Sequence, residues 1–182
     1  TLTRRRAEIE EYVAKRLADP AVAALVLAKH AVAEERGVTL ELDPGSRLPA
    51  LAPGLGADLT TVLGNLVDNA VDACAGHRDA TVEVWLHADD EAVHLRVRDT
   101  GPGVAPELRD AVFVRGFSTK DQGGVVGGRG IGLPLVRLIC TQRGGTVVVD
   151  DADPGSGRAG GGGAEFRVVL PLRPVLGQDG AP

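Results

Sequence analysis

Apolar residues recur at helical spacing in four stretches of this 182-residue chain. They stand three or four positions apart over residues 3–18, 20–36, 59–76 and 131–143. Asp19 followed by Pro20 is typical of a helix start, and Gly37, Gly76 and Gly144 stand where periodic stretches end. The pattern predicts four main helices, and a short fifth helix after the Gly- and Pro-rich turn at residues 101–103.

Five other segments alternate apolar and polar positions, as strands with one buried face do. They span residues 38–42, 80–87, 91–99, 146–150 and 165–172, and two aspartates mark a hairpin turn between the second and the third. Residues 43–56 are rich in Gly and Pro and are predicted to form a loop. Strands in hairpins with helices between them favour an α/β (α+β) two-layer sandwich, with the helices packed on one face of a mixed β-sheet.

Composition and charge narrow the classes of function. Hydrophobic residues make up 43% of the chain and aromatic residues only 3%, so the core must be built from Val, Leu, Ile and Ala. The scarcity of aromatic rings for base stacking and the net charge of −5 argue against a nucleic-acid partner. Cys74 and Cys140 fall on apolar helix faces, which favours two buried thiols over a disulfide.

One side of the third helix carries amides that a plain core helix does not need. Asn65, Asn69 and Asp72 stand at i, i+4 and i+7, beside the apolar stripe. Asn is a mediocre helix former, because its side chain competes for backbone hydrogen bonds. Amide carbonyls are neutral, hard oxygen ligands that suit a Mg²⁺ ion shared with phosphates. The alternative interpretation is a pair of amides that face solvent.

Asp99 ends the third alternating segment and is followed at two-residue spacing by Gly101 and Gly103. Glycines let a backbone pass close to a flat ligand, and a carboxylate there can accept a hydrogen bond from an exocyclic amino group. The alternative is a turn closed by an Asx hydrogen bond.

Glycines also alternate over residues 128–132, directly before the last helix. Backbone N–H groups and the dipole at a helix start favour an anion, although a flexible linker is the alternative. Phe113 and Phe117 flank this glycine-rich segment on its N-terminal side, and the pattern suggests a lid with apolar anchors, from which Lys120 could reach a terminal phosphate. The alternative is a surface loop pinned by its large side chains.

Taken in order, these segments resemble the ATP-binding domain of sensor histidine kinases, in the superfamily shared with gyrase and mismatch-repair ATPases. The resemblance covers about residues 36–172, where "NLVDNAVDA" is similar to the N box, "DTGPGV" to the first glycine box, "FVRGFSTK" to the F box and "GGRGIGL" to the second glycine box. The chain most resembles the citrate and C4-dicarboxylate sensor kinases. The resemblance implies a Bergerat-type fold and the cofactors ATP and Mg²⁺.

The resemblance also assigns roles to residues. Asn69 would hold Mg²⁺, Asn65 would lie beside the phosphates and act with Asn69 and Lys120 in catalysis, and Asp99 would bind the adenine amino group. The nucleotide-binding set would be Asn65, Asn69, Asp72, Asp99, Gly101, Gly103, Phe117, Ser118, Thr119, Lys120, Gly128, Arg129, Gly130, Ile131, Gly132 and Leu133. Many relatives carry Lys at the position of Asp72. A carboxylate cannot donate to phosphate, so Asp72 is expected to act through the metal's waters or to be simply exposed, with Lys120 or Arg129 as substitutes.

Hydrolytic relatives typically carry a Glu base where this chain has Asn65, which cannot take up a proton at neutral pH. We therefore expect transfer of the ATP γ-phosphoryl group to a histidine on an upstream dimerisation domain, and His30 lacks the acidic neighbour usual at such a site. The alternatives are an anti-sigma-type serine kinase or a non-catalytic nucleotide-binding module.

The expected organisation has three parts. Residues 1–18 would be a remnant of a dimerisation helix, residues 19–172 the catalytic domain and residues 173–182 a disordered tail. The expected partners are the histidine-containing domain and a response regulator, with the fragment monomeric and the full protein a homodimer. The domain is expected on the cytoplasmic side of a membrane-anchored sensor.

Overall fold

A computed structural model describes residues 2–116, 131–153 and 162–173. Its helices and strands, in chain order, are α1 (Leu2–Ala14), α2 (Pro20–Glu35), β1 (Thr39–Leu42), α3 (Pro53–Cys74), β2 (Thr81–Ala88), β3 (Ala92–Asp99), α4 (Gly132–Gln142), β4 (Thr146–Asp151) and β5 (Ala164–Pro171). Two short 3₁₀ turns, Pro106–Leu108 and Ala111–Phe113, take the place of the single short helix predicted after β3.

The strands form one sheet in the order β1-β2-β3-β5-β4. β1 pairs with β2 in parallel, and the other three pairings are antiparallel. In β2, Val82, Val84 and Leu86 are buried on the side of the helices, while the residues between them are only partly covered. The predicted two-layer sandwich on a mixed sheet is confirmed.

The long helix α3 lies at the centre of the helical layer and packs on both α2 and α4, and on β2 and β3. It begins at Pro53, six residues before the predicted start, so the prediction of a loop up to residue 56 was wrong. A Cβ atom on Gly56 would lie 3.4 Å from the Asp19 carboxylate at the start of α2. Gly56 therefore lies inside the helix although glycine has a low helix propensity.

Helix α1 ends at Ala14, although helical spacing predicts that it continues to residue 18. The segment after it pairs with a distant loop instead: Leu17 forms a bridge with Leu48, whose carbonyl accepts a hydrogen bond from the Ala18 N–H. Val13 and Leu17 are buried in the same core as the sheet and α3. The assignment of residues 1–18 to a separate domain stays a prediction, and these contacts join the end of α1 to the rest of the molecule.

Other local predictions are confirmed. Asp19 caps α2, because its Oδ1 accepts hydrogen bonds from the N–H groups of Ala21 and Val22. Cys74 and Cys140 are buried free thiols, as their apolar helix faces predict. Within the three described ranges, no helix combines the length and the apolar character that a bilayer crossing requires.

Candidate functional site

The amide side chains of α3 share one side of the helix, as predicted. Asn65, Asn69 and Asp72 are partly exposed, while Leu66 and Ala70 between them are fully buried. The Asn65 Nδ2 group donates a 2.8 Å hydrogen bond to the Thr61 carbonyl one turn earlier. This bond uses the Nδ2 group of the amide, and Oδ1 is the acceptor atom of the side chain.

The start of α4 lies directly against Asn65. A Cβ atom on Gly132 would stand 2.9 Å from Asn65 Oδ1, so a larger residue at this position would push the Asn65 side chain aside. The first N–H groups of α4 have no acceptor within the helix, and Pro134 in the same turn has no N–H at all. Leu133 packs against the core and anchors the turn, whereas Ile131 is 53% exposed.

Asp99 is buried at the end of β3 with 2% of its surface exposed. Its Oδ1 atom accepts hydrogen bonds from the N–H groups of Gly101 (2.8 Å) and Ala164 (3.3 Å). Burial raises the pKa of Asp99, and the two backbone hydrogen bonds oppose this rise. The Asx hydrogen bond between Asp99 and Gly101, which was the alternative interpretation of this stretch of sequence, is therefore present. Among the described residues both bonds end on Oδ1, so Oδ2 keeps capacity to accept from a ligand.

The glycines after Asp99 bring this carboxylate to the C-terminal part of α3. A Cβ atom on Gly101 would lie 3.1 Å from the Ala73 carbonyl oxygen, and Gly103 has a φ of +77° beside the Gly163 carbonyl. Asn65 and Ala73 are eight residues apart, which is about 12 Å along a helix. One wall therefore has the start of α4 at one end, the buried acid at the other, and Asn69 and Asp72 between them.

Two contributors were missed from the sequence. Gly163 packs on the backbone of Asp99, and the next residue, Ala164, donates to the Asp99 carboxylate. Both stand at the end of a glycine-rich run that composition presented only as a loop. The usable signal was the change from glycines to strand alternation at residue 164.

Asp72 is not simply exposed, which was one of its two expected states. Its side chain is 19% exposed, and its Oδ1 atom lies 2.5 Å from the Arg36 guanidinium at the end of α2. The opposite charge of the arginine therefore acts on the carboxylate from a neighbouring helix.

The lid prediction falls mostly on residues outside the described ranges, namely Phe117, Ser118, Thr119, Lys120, Gly128, Arg129 and Gly130. Their roles stay predictions. Phe113, the other predicted anchor, is buried and packs edge-on against Phe166 of β5 with 6.1 Å between the ring centroids. It belongs to the hydrophobic core next to this segment.

The family model described as "Histidine kinase-, DNA gyrase B-, and HSP90-like ATPase" matches residues 54–174, which include all of α3 after its first residue, Asp99 and β5. The chain belongs to this ATPase family. The family assignment matches the resemblance carried by the four boxes.

Curated relatives of this ATPase domain are sensor kinases. It is 34% identical over 146 residues to the "Probable C4-dicarboxylate sensor kinase" of Halalkalibacterium halodurans, covering 79% of this chain and 27% of the relative. It is 37% identical over 140 residues to the sensor histidine kinase DpiB of Escherichia coli, covering 75% of this chain and 25% of that protein. The chain thus spans about a quarter of the length of these relatives.

Solved structures of histidine kinases share the fold. The mycobacterial sensor histidine kinase MprB superposes with a TM-score of 0.62 at 26% identity, covering 83% of this chain and 95% of that one. Full-length ShkA in complex with AMPPNP gives a TM-score of 0.64 at 29% identity, covering 82% of this chain and 29% of ShkA. The predicted resemblance to the citrate and C4-dicarboxylate sensor kinases agrees with the curated relatives, among them the C4-dicarboxylate sensor kinase named above.

Proposed function

We propose that this ATPase domain is the catalytic domain of a sensor histidine kinase, which binds ATP with Mg²⁺ and transfers the γ-phosphoryl group to a histidine on an upstream dimerisation domain. One observation carries the proposal: α3 presents its amides between a glycine-started helix at Asn65 and a buried acid beside Ala73. Positioning and charge neutralisation are what phosphoryl transfer chiefly requires from a protein.

The acid end of this wall fits an adenine ring. Asp99 is held by the N–H groups of Gly101 and Ala164, so the carboxylate cannot turn away from a base. Its second oxygen accepts from the exocyclic amino group, which is a donor that guanine lacks at that position. Gly101 and Gly103 carry no side chain that would close the space over a flat ring.

The amide end fits phosphates and a magnesium ion. Asn65 Oδ1 and the Asn69 amide are neutral oxygen donors of the kind that Mg²⁺ accepts alongside phosphate oxygens. A magnesium ion held by these amides would supply positive charge to offset the negative charge that develops on the phosphates during transfer. The N–H groups of Gly132 and Leu133 at the start of α4 face the same end and favour an anion. In our proposal Phe117, Ser118, Thr119, Lys120, Gly128, Arg129 and Gly130 complete the site.

Asn65 has no basic group, so it can orient a phosphate but cannot take a proton from water. The nucleophile is therefore expected from outside this domain, and we propose a histidine imidazole delivered by another domain. In the whole protein, we propose a homodimer that hands the phosphoryl group to a response regulator on the cytoplasmic side of a membrane, where ATP is available. The sensor-kinase names of the relatives support this choice over a serine kinase or a non-catalytic binding module.

Calorimetric titration of ATP with and without Mg²⁺ tests the binding half of the proposal. Wild-type protein binds in both conditions and more tightly with Mg²⁺, whereas Asn69→Ala loses about tenfold of the Mg²⁺-dependent affinity because one oxygen ligand is gone. Gln142→Ala, which removes an exposed amide at the far end of α4, is the matched control and keeps the wild-type response. Equal binding curves for wild type and Asn69→Ala would contradict the magnesium assignment.

Phosphoryl transfer is tested by adding γ-labelled ATP and a separately produced histidine-containing dimerisation domain of a related sensor kinase. We expect acid-labile label on the histidine of the supplied domain. Acid-stable label on serine would favour the serine kinase, and nucleotide binding without transfer to any supplied domain would favour the binding module.

A further inference from the structure

An acidic side chain stands on the amide face of α3, where the proposed function places an anionic ligand. Asp72 is seven residues after Asn65, three after Asn69 and one before Ala73, whose carbonyl borders Gly101. A carboxylate in this position repels a triphosphate unless another group offsets its charge, because like charges within a few ångströms interact strongly at a protein surface. The neighbouring groups must therefore make Asp72 compatible with the nucleotide.

Arg36 reaches Asp72 from a different helix. It is the C-cap of α2, and its backbone N–H donates to the carbonyls of Ala33 and Glu34. Gly37, with a φ of +71°, then turns the chain towards β1. The arginine backbone is thus fixed by the end of α2 and by the turn that follows, and its guanidinium lies 2.5 Å from Asp72 Oδ1.

The positive charge of Arg36 also acts at the end of the site near Asp99. The Cys74 thiol is buried two residues after Asp72. Burial raises the pKa of Cys74, the negative charge of Asp99 raises it further, and the positive charge of Arg36 opposes the rise. Arg36 and Asp99 therefore act on one common point at the C-terminal end of α3.

We propose that Arg36 is a positioning residue of the nucleotide site, which holds the Asp72 carboxylate and offsets its charge so that the phosphates can lie along α3. This inference rests on the proposed function. It makes Arg36 and Asp72 a unit in which the acid orients the cation and the cation removes the electrostatic penalty of the acid.

A second ion pair between α2 and α3 serves as a control. It distinguishes a role of Arg36 in nucleotide binding from a role that only holds the two helices together. Lys29 of α2 bonds both carboxylate oxygens of Asp68 on α3, at 2.6 and 2.7 Å. Asp68 is 58% exposed at its side chain, against 19% for Asp72. If Arg36 only fastens α2 to α3, loss of either cation will have the same effect on nucleotide binding.

The experiment measures the binding of MgATP by calorimetry and of adenosine by NMR. The proteins compared are wild type, Arg36→Ala, Arg36→Lys, Lys29→Ala, Asp72→Asn and the double variant Arg36→Ala/Asp72→Asn. Arg36→Ala weakens MgATP by about tenfold and adenosine by less than about twofold, because only the phosphates carry charge. Arg36→Lys keeps most of the MgATP affinity, and the double variant recovers most of what Arg36→Ala loses. Asp72→Asn alone tightens MgATP, since an uncompensated cation remains.

Lys29→Ala lowers the thermal midpoint as much as Arg36→Ala does and leaves MgATP affinity within about twofold of wild type. Equal weakening of MgATP and adenosine by Arg36→Ala, or equal weakening of MgATP by Lys29→Ala, overturns the inference. Failure of wild type to bind MgATP or adenosine counts against the proposed function itself, so the two failures are distinguishable.

Discussion

The Asp99 carboxylate combines deep burial with two backbone donors on a single oxygen. Because burial raises its pKa in the folded protein above the unfolded value, the native state binds a proton more readily than the unfolded state does. Stability therefore falls as the pH rises through the window between the two values, and it stays lower above that window. The adenine amino group requires the ionised Asp99 carboxylate as its acceptor. Keeping this buried carboxylate ionised lowers the stability of the folded protein.

Asp99→Asn should therefore raise the thermal midpoint at neutral pH while it weakens ATP binding by about tenfold or more, because a charge-assisted hydrogen bond is lost. The gain in midpoint should shrink as the pH is lowered, because the raised pKa of Asp99 lets the wild-type carboxylate take up a proton at a higher pH than an ordinary aspartate does. Thermal denaturation over a pH series, with calorimetry for ATP, measures both effects.

Asp110→Asn removes an exposed carboxylate from the loop that follows and corrects for the change in net charge. An Asp99→Asn protein that is less stable than wild type at neutral pH would show that the two backbone hydrogen bonds outweigh desolvation.

The junction between β3 and β5 depends on a glycine contact. Gly163 has a φ of +78°, and a Cβ atom there would stand 1.7 Å from the Asp99 carbonyl oxygen. Gly76, after α3, has a similar φ of +84°, with nothing within 4 Å of the position of a Cβ atom. The two positions share the left-handed backbone and differ in the space around it.

Gly76→Ala should cost about 1 kcal/mol of unfolding free energy, from backbone strain alone. Gly163→Ala should cost about 3 kcal/mol or more, since the strand start must move away from Asp99, and ATP binding should fall with it. Urea denaturation gives both values, and equal costs for the two variants would mean that the β3–β5 junction relaxes without strain.

The observed bounds of the helices and strands show where prediction from the local sequence pattern fails. The five strand positions agree with the alternating pattern to within one or two residues, because alternation is read along the strand itself. The start of α3 does not, since Gly54 and Gly56 lie in the first turns of a helix whose Leu55 is buried and whose Asp58 pairs with Arg143. Tertiary contacts at this end of the helix outweigh the unfavourable helix propensity of glycine, which is about 1 kcal/mol for each residue.

In the molecule as a whole, the polypeptide before α2 is part of the packing. Leu17 is 2% exposed and lies in the core with α2, α3 and the sheet. The Arg16 side chain stacks on Tyr12, and the Tyr12 hydroxyl donates to the Leu42 carbonyl at the end of β1.

Leu17→Ala should lower the unfolding free energy by about 3 kcal/mol, through lost burial and a cavity. Leu138→Ala, which shortens a 52% exposed leucine on α4, should lower it by less than about 1 kcal/mol. Denaturant unfolding followed by circular dichroism measures both. A Leu17→Ala protein as stable as wild type would indicate that residues 1–18 are an independent appendage.

From the sequence alone, the fold class, the buried cysteines, the amide side of α3 and the pairing of Asp99 with its glycines could be predicted, because each depends on residues a few positions apart. Only the tertiary structure joined Arg36 to Asp72 across 36 positions and the Ala164 N–H to Asp99 across 65. Those partners are chosen by how the helices and the sheet pack, and neither short-range spacing nor composition records that choice. The physical reason is that periodicity tells which side of an element faces inward, whereas the identity of the neighbour depends on the path of the whole chain.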